Sequence, residues 1–198
     1  MKQLLGLFIL FNSAVMAAPI EAVDIITVYG SDLVTVDGDE AEVDLNDDDD
    51  FTYLSLDAAK VKGVRWAHIV PFDNSPGAGR QRFPFYIDYS TIDIKSDDGK
   101  THSDKYQSLT VGFAIQGILS TESRVLDTYF GLFAGGGASR FSLDEPEYKA
   151  VGEIAGEYGI IVGNRFSFGV GIKHQVIGYP GETMADVWQG TVNAGIWF

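Results

Sequence analysis

Residues 188–198 read Trp188-Gln189-Gly190-Thr191-Val192-Asn193-Ala194-Gly195-Ile196-Trp197-Phe198. Counted back in twos from Phe198, one face carries Ile196, Ala194, Val192, Gly190 and Trp188, and the other Trp197, Gly195, Asn193, Thr191 and Gln189. A period of two belongs to an extended strand, whose successive side chains point to opposite faces. A terminal strand leaves one edge of unpaired N–H and C=O groups, and closing the sheet into a barrel removes that edge. The stretch predicts the closing strand of a barrel, and its apolar face suits a barrel set in a membrane.

Bulk properties are consistent with this. A chain of 198 residues has room for one full domain but is short for two. The formal net charge of -14 and sequence pI of about 4.4 oppose binding to a nucleic-acid backbone, so no nucleic-acid partner is expected. Without cysteine there is no disulfide, thiolate metal site or cysteine nucleophile. Apolar residues are 45% of the chain, yet mean hydropathy is only +0.04. Helical membrane proteins lie well above that, whereas a membrane barrel turns alternate residues toward a polar lumen.

In chain order, residues 1–17 have the pattern of a cleaved signal peptide: Lys2, an apolar run from Leu4 to Phe11, then Val15-Met16-Ala17 before Ala18. Residues 18–198 form the expected single barrel domain. Residues 24–36 are rich in β-branched side chains and read as the first strand. Nine acidic residues follow between Asp37 and Asp50, a self-repelling solvated loop. Within it Asp44, Asp47, Asp48, Asp49 and Asp50 are candidate divalent-cation ligands, although the calcium-loop spacing with its central Gly is absent.

Residues 51–60 alternate, 61–63 suit a tight turn, and 64–72 alternate again up to Pro71. His68 has no second ligand at metal spacing and reads as a polar residue near a strand rim. Residues 73–104 are expected to form one long outer loop with a β-extension at 83–94, which is apolar on both faces; a spanning strand at 83–94 is the alternative. Strands follow at 106–119, 127–141, 151–162 and 165–177, with turns at 120–124 and Asn164. Gly135-Gly136-Gly137 lacks the Lys and following helix of a phosphate loop.

The two faces differ in residue type. One carries Gly, Ser, Thr, Gln and isolated charges, from which a lumen cluster of Asp57, Arg65, Glu153, Glu157 and Lys173 is expected. The other carries Trp66, Phe113, Phe166, Trp188 and Phe198, placed as membrane-facing aromatics of two interfacial girdles. Short links at 61–63, 120–124 and near 164 alternate with long polar ones at 37–50, 73–104, 142–149 and 178–186. The fold expected is therefore an all-β, antiparallel, up-and-down transmembrane β-barrel of eight strands with long outer loops.

The exported start, G-L-F-A-G-G-G-A-S-R-F at 131–141, E-Y-G-I-I-V-G at 157–163, F-S-F-G-V-G-I-K-H at 166–174 and the I-W-F ending together resemble the small bacterial outer-membrane β-barrel superfamily. The resemblance implies the outer membrane of a Gram-negative cell envelope, insertion by the outer-membrane assembly machinery, contact with outer-membrane lipid and lipopolysaccharide, and a monomer without cofactors. Asn193 stands where the terminal assembly signal usually has Gly. The superfamily includes adhesins, anchors, small pores and lipid-modifying enzymes, so fold alone does not choose a role. A non-enzymatic structural or surface-interaction protein with acidic outer loops is the reading adopted. A small-solute, porin-like pore is one alternative. The other is a lipid A deacylase, because the segment from His174 to Glu182 resembles one in those enzymes where a Ser follows the His by two residues. Here that position is Val176, and no hydroxyl nucleophile is present there.

Overall fold

The computed structural model describes residues 24–37, 60–70, 79–95, 103–119, 126–141, 147–179 and 182–198. They form eight antiparallel strands. Strand β1 comprises Asp24–Ser31 and Val34–Asp37, interrupted at Asp32 and Leu33. It is followed by β2 (Lys60–Val70), β3 (Gly79–Lys95), β4 (Ser103–Leu119), β5 (Leu126–Phe141), β6 (Glu147–Val162), β7 (Phe166–Tyr179) and β8 (Glu182–Trp197). Each strand pairs with its sequence neighbours, and β1 also pairs with β8, from Ile25 opposite Trp197 to Gly30 opposite Val192. The sheet is a closed barrel without cis peptide bonds among the described residues.

Closure is completed at both ends of the seam. Asp24 and Phe198 exchange backbone hydrogen bonds of 2.9 and 3.0 Å. Across the interruption in β1, the Gly190 N–H donates to the Leu33 carbonyl at 2.9 Å, so β8 keeps its pairing up to Asp186. An even strand number puts Asp24 and Phe198 at one end, which also holds the β6–β7 turn. There Gly163 (φ 60°) and Asn164 (φ 57°) both have left-handed backbone, the geometry of a type I′ hairpin that Gly and Asn tolerate best.

Four sequence expectations are corrected. Residues 61–63 are not a turn: they lie within β2, opposite Ile92, Thr91 and Ser90 in that order. Lys60 and Lys62 face outward at the rim, Val61 is buried, and Gly63 leaves the space that the Tyr29 ring fills, so a turn-like composition reflects alternation at a strand end. Residues 73–104 are not one outer loop, because 83–94 lies within the spanning strand β3. Its two faces looked equally apolar because the inner one carries Tyr86 and Ile92, but Asp88 and Ser90 sit between them. The links at 142–149 and 178–186 are shorter than expected: Glu147 pairs with Phe141, and Tyr179 pairs with Glu182. The strand expected at 51–60 lies outside the described residues except for Lys60.

The outside is apolar. Val64, Leu109, Val111, Phe113, Leu132, Ile154, Phe168, Val170, Ile172, Val192 and Ile196 are all exposed. Burying large apolar side chains is the largest favourable contribution to folding in water, so an apolar belt facing outward on every strand calls for an apolar surrounding. Inside, two apolar clusters fill the ends of the barrel. Toward the termini lie Ile25, Ile69, Ile118, Phe133, Ile161 and Trp197; toward the other end lie Val61, Ile92, Tyr106, Val151, Ile177 and Val187. Eight strands leave an interior just wide enough for side chains to fill.

Candidate functional site

Between these two apolar layers lies a layer of charge. Strand periodicity turns Arg65 of β2, Asp88 of β3, Glu153 and Glu157 of β6 and Lys173 of β7 inward, and closure brings them within hydrogen-bonding distance of one another. Arg65 Nε donates to Asp88 Oδ2 at 3.1 Å and its Nη1 to Glu157 Oε2 at 3.2 Å. Lys173 Nζ lies 2.7 Å from Asp88 Oδ1 and 2.9 Å from Glu153 Oε2. The two cations thus share Asp88, and each holds one further carboxylate.

Neutral groups satisfy the remaining positions. The Tyr29 hydroxyl donates to Asp88 at 2.6 Å and accepts from Lys173 Nζ at 2.8 Å. Glu153 accepts from Tyr86 (3.3 Å), Thr110 (3.1 Å) and Gln175 (3.0 Å). Gln189 donates to Gln175 at 3.1 Å, and Asn193 donates to Glu157 at 3.3 Å while accepting from the Tyr129 hydroxyl. The guanidinium of Arg65 also stacks on Phe133, 3.9 Å from the ring centroid, which joins the charged layer to the apolar one below it. Buried ions are tolerated only when paired and hydrogen-bonded, and each of these is. A small void remains beside Arg65, Glu157, Lys173 and Asn193.

Of the expected lumen residues, Arg65, Glu153, Glu157 and Lys173 are brought together, and Asp57 lies outside the described residues. Asp88, the carboxylate shared by both cations, is absent from the expected set because the sequence reading places 83–94 as a β-extension of an outer loop. The signal was present in F-Y-I-D-Y-S, where Tyr86, Asp88 and Ser90 share one parity and Phe85, Ile87 and Tyr89 the other. The cation candidates Asp44, Asp47, Asp48, Asp49 and Asp50 and the proposed signal at 1–17 also lie outside the described residues.

The five outward aromatics sit at different heights. Phe198, Trp66 and Phe166 are near the termini, where Trp66 Nε1 donates to Asp24 at 3.0 Å and Phe85 links Trp66 to Phe113 by edge contacts. Trp188 lies toward the other end, where it stacks on His174 with ring centroids 4.1 Å apart. His174 Nε2 is 3.4 Å from Asp186 Oδ1. Its neighbours across the strands and along its own outer face are Ile154, Ile172 and Val176, none of which is a nucleophile. No attacking group stands beside this pair.

No family model and no curated protein matches the sequence. Solved structures match in shape. Neisserial surface protein A (NspA) aligns with 91% of this chain and 100% of its own at a TM-score of 0.53 and 11% identity. The outer membrane enzyme PagL aligns with 87% of this chain and 98% of its own (TM-score 0.48, 13% identity), and Ail, the attachment invasion locus protein of Yersinia pestis, with 90% and 100% (TM-score 0.43, 13% identity). Identity this low speaks to architecture only. The fold of this chain is that of the small eight-stranded outer-membrane β-barrels.

Proposed function

We propose that this protein is a non-enzymatic, non-conducting barrel of the bacterial outer membrane, with a structural or surface-interaction role. The observation that carries the reading is the filled interior: an ion-paired layer of Arg65, Asp88, Glu153, Glu157 and Lys173 held between two apolar plugs. A solute crossing it has to separate buried ion pairs, each bound at two or more points, and then pass apolar layers without hydrogen-bond partners. The outward apolar belt supports the membrane setting. The periplasmic end is the one with Asp24, Phe198 and the Gly163–Asn164 hairpin, since such barrels keep short turns on that side. The acidic segment between β1 and β2 then belongs to the exterior.

Planar-bilayer recording with the purified full chain tests this reading. Absence of discrete channel openings is expected, and regular conductance steps at modest voltage refute it in favour of the pore. The lipid-modifying alternative rests on the resemblance of residues 174–182 to those enzymes and lacks a nucleophile, since Val176 stands at the Ser position. Release of fatty acid from labelled lipid A by wild type but not by His174→Ala would overturn the non-enzymatic reading.

A further inference from the structure

We infer that the charged layer is a pH-sensitive lock, closed by a proton held on Glu157. This goes beyond the reading above and rests on its sealed interior. All eight strands are described at the height of the layer. Its cations are Arg65 and Lys173, and its carboxylates are Asp88, Glu153 and Glu157. Among the described side chains, the other inward charges lie toward the two ends of the barrel. Lys149 follows Val151 toward the outer end, and Asp127 and Arg82 lie toward the end with Asp24 and Phe198, where Arg82 stands 5.7 Å from the Trp197 ring centroid. A buried charge without a counterion is neutralised rather than tolerated, so a layer with two cations and three carboxylates calls for one more positive charge.

Glu157 is where that charge is missing. Asp88 accepts from Arg65, Lys173 and Tyr29, and Glu153 from Lys173, Tyr86, Thr110 and Gln175. Glu157 meets one cation, which Asp88 already shares, and Arg65 and Asn193 both donate to its Oε2. Two donors on one oxygen suit the carbonyl of a neutral acid, whose other oxygen carries the O–H. The remaining surroundings of Glu157 are Tyr29 of β1, Tyr129 of β5, Lys173 of β7 and Thr191 of β8, while β4 presents the neutral Thr110 and Gln116. The void that Glu157 lines has room for about one water. A metal ion in it would stand against Arg65 and Lys173, which line the same void, so a proton is the charge that fits. Arg65 then has Asp88 as its counterion and Glu157 as a neutral acceptor. Removing Asp88 reverses this, because Glu157 can ionise and take its place beside Arg65.

The test uses the full chain folded in phosphocholine vesicles. Infrared spectroscopy at neutral pH is expected to show the carbonyl stretch of a protonated carboxylic acid, absent in Glu157→Gln. Asn193→Gly, which removes a donor to Glu157 and to neither of the other two carboxylates, is expected to shift that band. Urea unfolding gives a second readout. With Glu157 neutral in the barrel and ionised in the unfolded chain, folding takes up a proton, so raising the pH favours unfolding. Relative to Glu157→Gln, the wild-type folding equilibrium constant is expected to fall about tenfold per pH unit between about pH 6 and 8. The histidines titrate in both proteins and cancel in that comparison. At neutral pH Glu157→Gln is expected to fold at least as firmly as wild type, because an amide replaces a neutral acid. No acid band, a band that persists in Glu157→Gln or stays unshifted in Asn193→Gly, or parallel pH dependences overturn the inference. So does a loss of about tenfold or more in the folding of Glu157→Gln, since an ion pair with Arg65 would then have been broken. Regular conductance in a planar bilayer overturns the sealed interior as well, whereas a silent barrel without the band overturns this inference alone.

Discussion

Replacing Asp88 with Ala tests whether the charged layer holds the barrel together. Asp88 is fully buried and bonded to Arg65, Lys173 and Tyr29. Three hydrogen bonds to a charged acceptor, at about 1.5–3 kcal/mol each, bound the loss from above. The actual cost is lower, because Arg65 keeps Glu157 and Lys173 keeps Glu153, so neither cation is left unpaired. Breaking a buried pair by removing one partner costs about 3–5 kcal/mol, and these remaining partners place Asp88→Ala at the lower end, about 3 kcal/mol. Urea unfolding in phosphocholine vesicles, followed by tryptophan fluorescence, measures it. Lys173→Ala in the same background completes a double-mutant cycle, with an expected coupling of about 1–3 kcal/mol. A loss below about 1 kcal/mol, or additive single variants, would refute the argument and leave the apolar plugs as the main support.

Asn193→Gly removes the hydrogen bonds to Tyr129 and Glu157 and is expected to cost about 1–2 kcal/mol in the same unfolding assay while assembly into membranes is unchanged. Severe loss of assembly would mean that Asn193 does not face the lumen during insertion. Val170→Arg puts a charge in the outward apolar belt, where about 2–4 kcal/mol is expected near the bilayer midplane. An unchanged unfolding midpoint would show that this face does not contact lipid.

Period-two alternation made much of the architecture legible in advance. From Gln189 and Trp197 inward to Trp188 and Phe198 outward, the faces of β8 follow from parity, because a strand cannot turn adjacent side chains to one side. The same rule oriented β4, β6 and β7 and put Arg65, Glu153, Glu157 and Lys173 inside. It failed where both parities carry large residues. In β3 the inner Tyr86 and Ile92 are as apolar as the outer Phe85 and Ile87, since the lumen of this barrel is itself partly apolar; parity then leaves 83–94 undecided between a β-extension of a loop and a spanning strand, and Asp88 without an assigned face. It failed also at Lys60-Val61-Lys62-Gly63, where rim lysines and a glycine needed by Tyr29 imitate a turn.

The sequence by itself determined which side chains share a face, because that depends only on neighbours along the chain. Only the tertiary structure decided which charges meet. Arg65 and Glu157 are 92 residues apart, and Lys173 and Asp88 are 85 apart. Their contacts depend on the stagger between strands and on closure of β1 against β8, and no local spacing encodes either. The stretch from Trp188 to Phe198 thus announces its two faces, while the side chains that fill the barrel become partners only when the sheet closes.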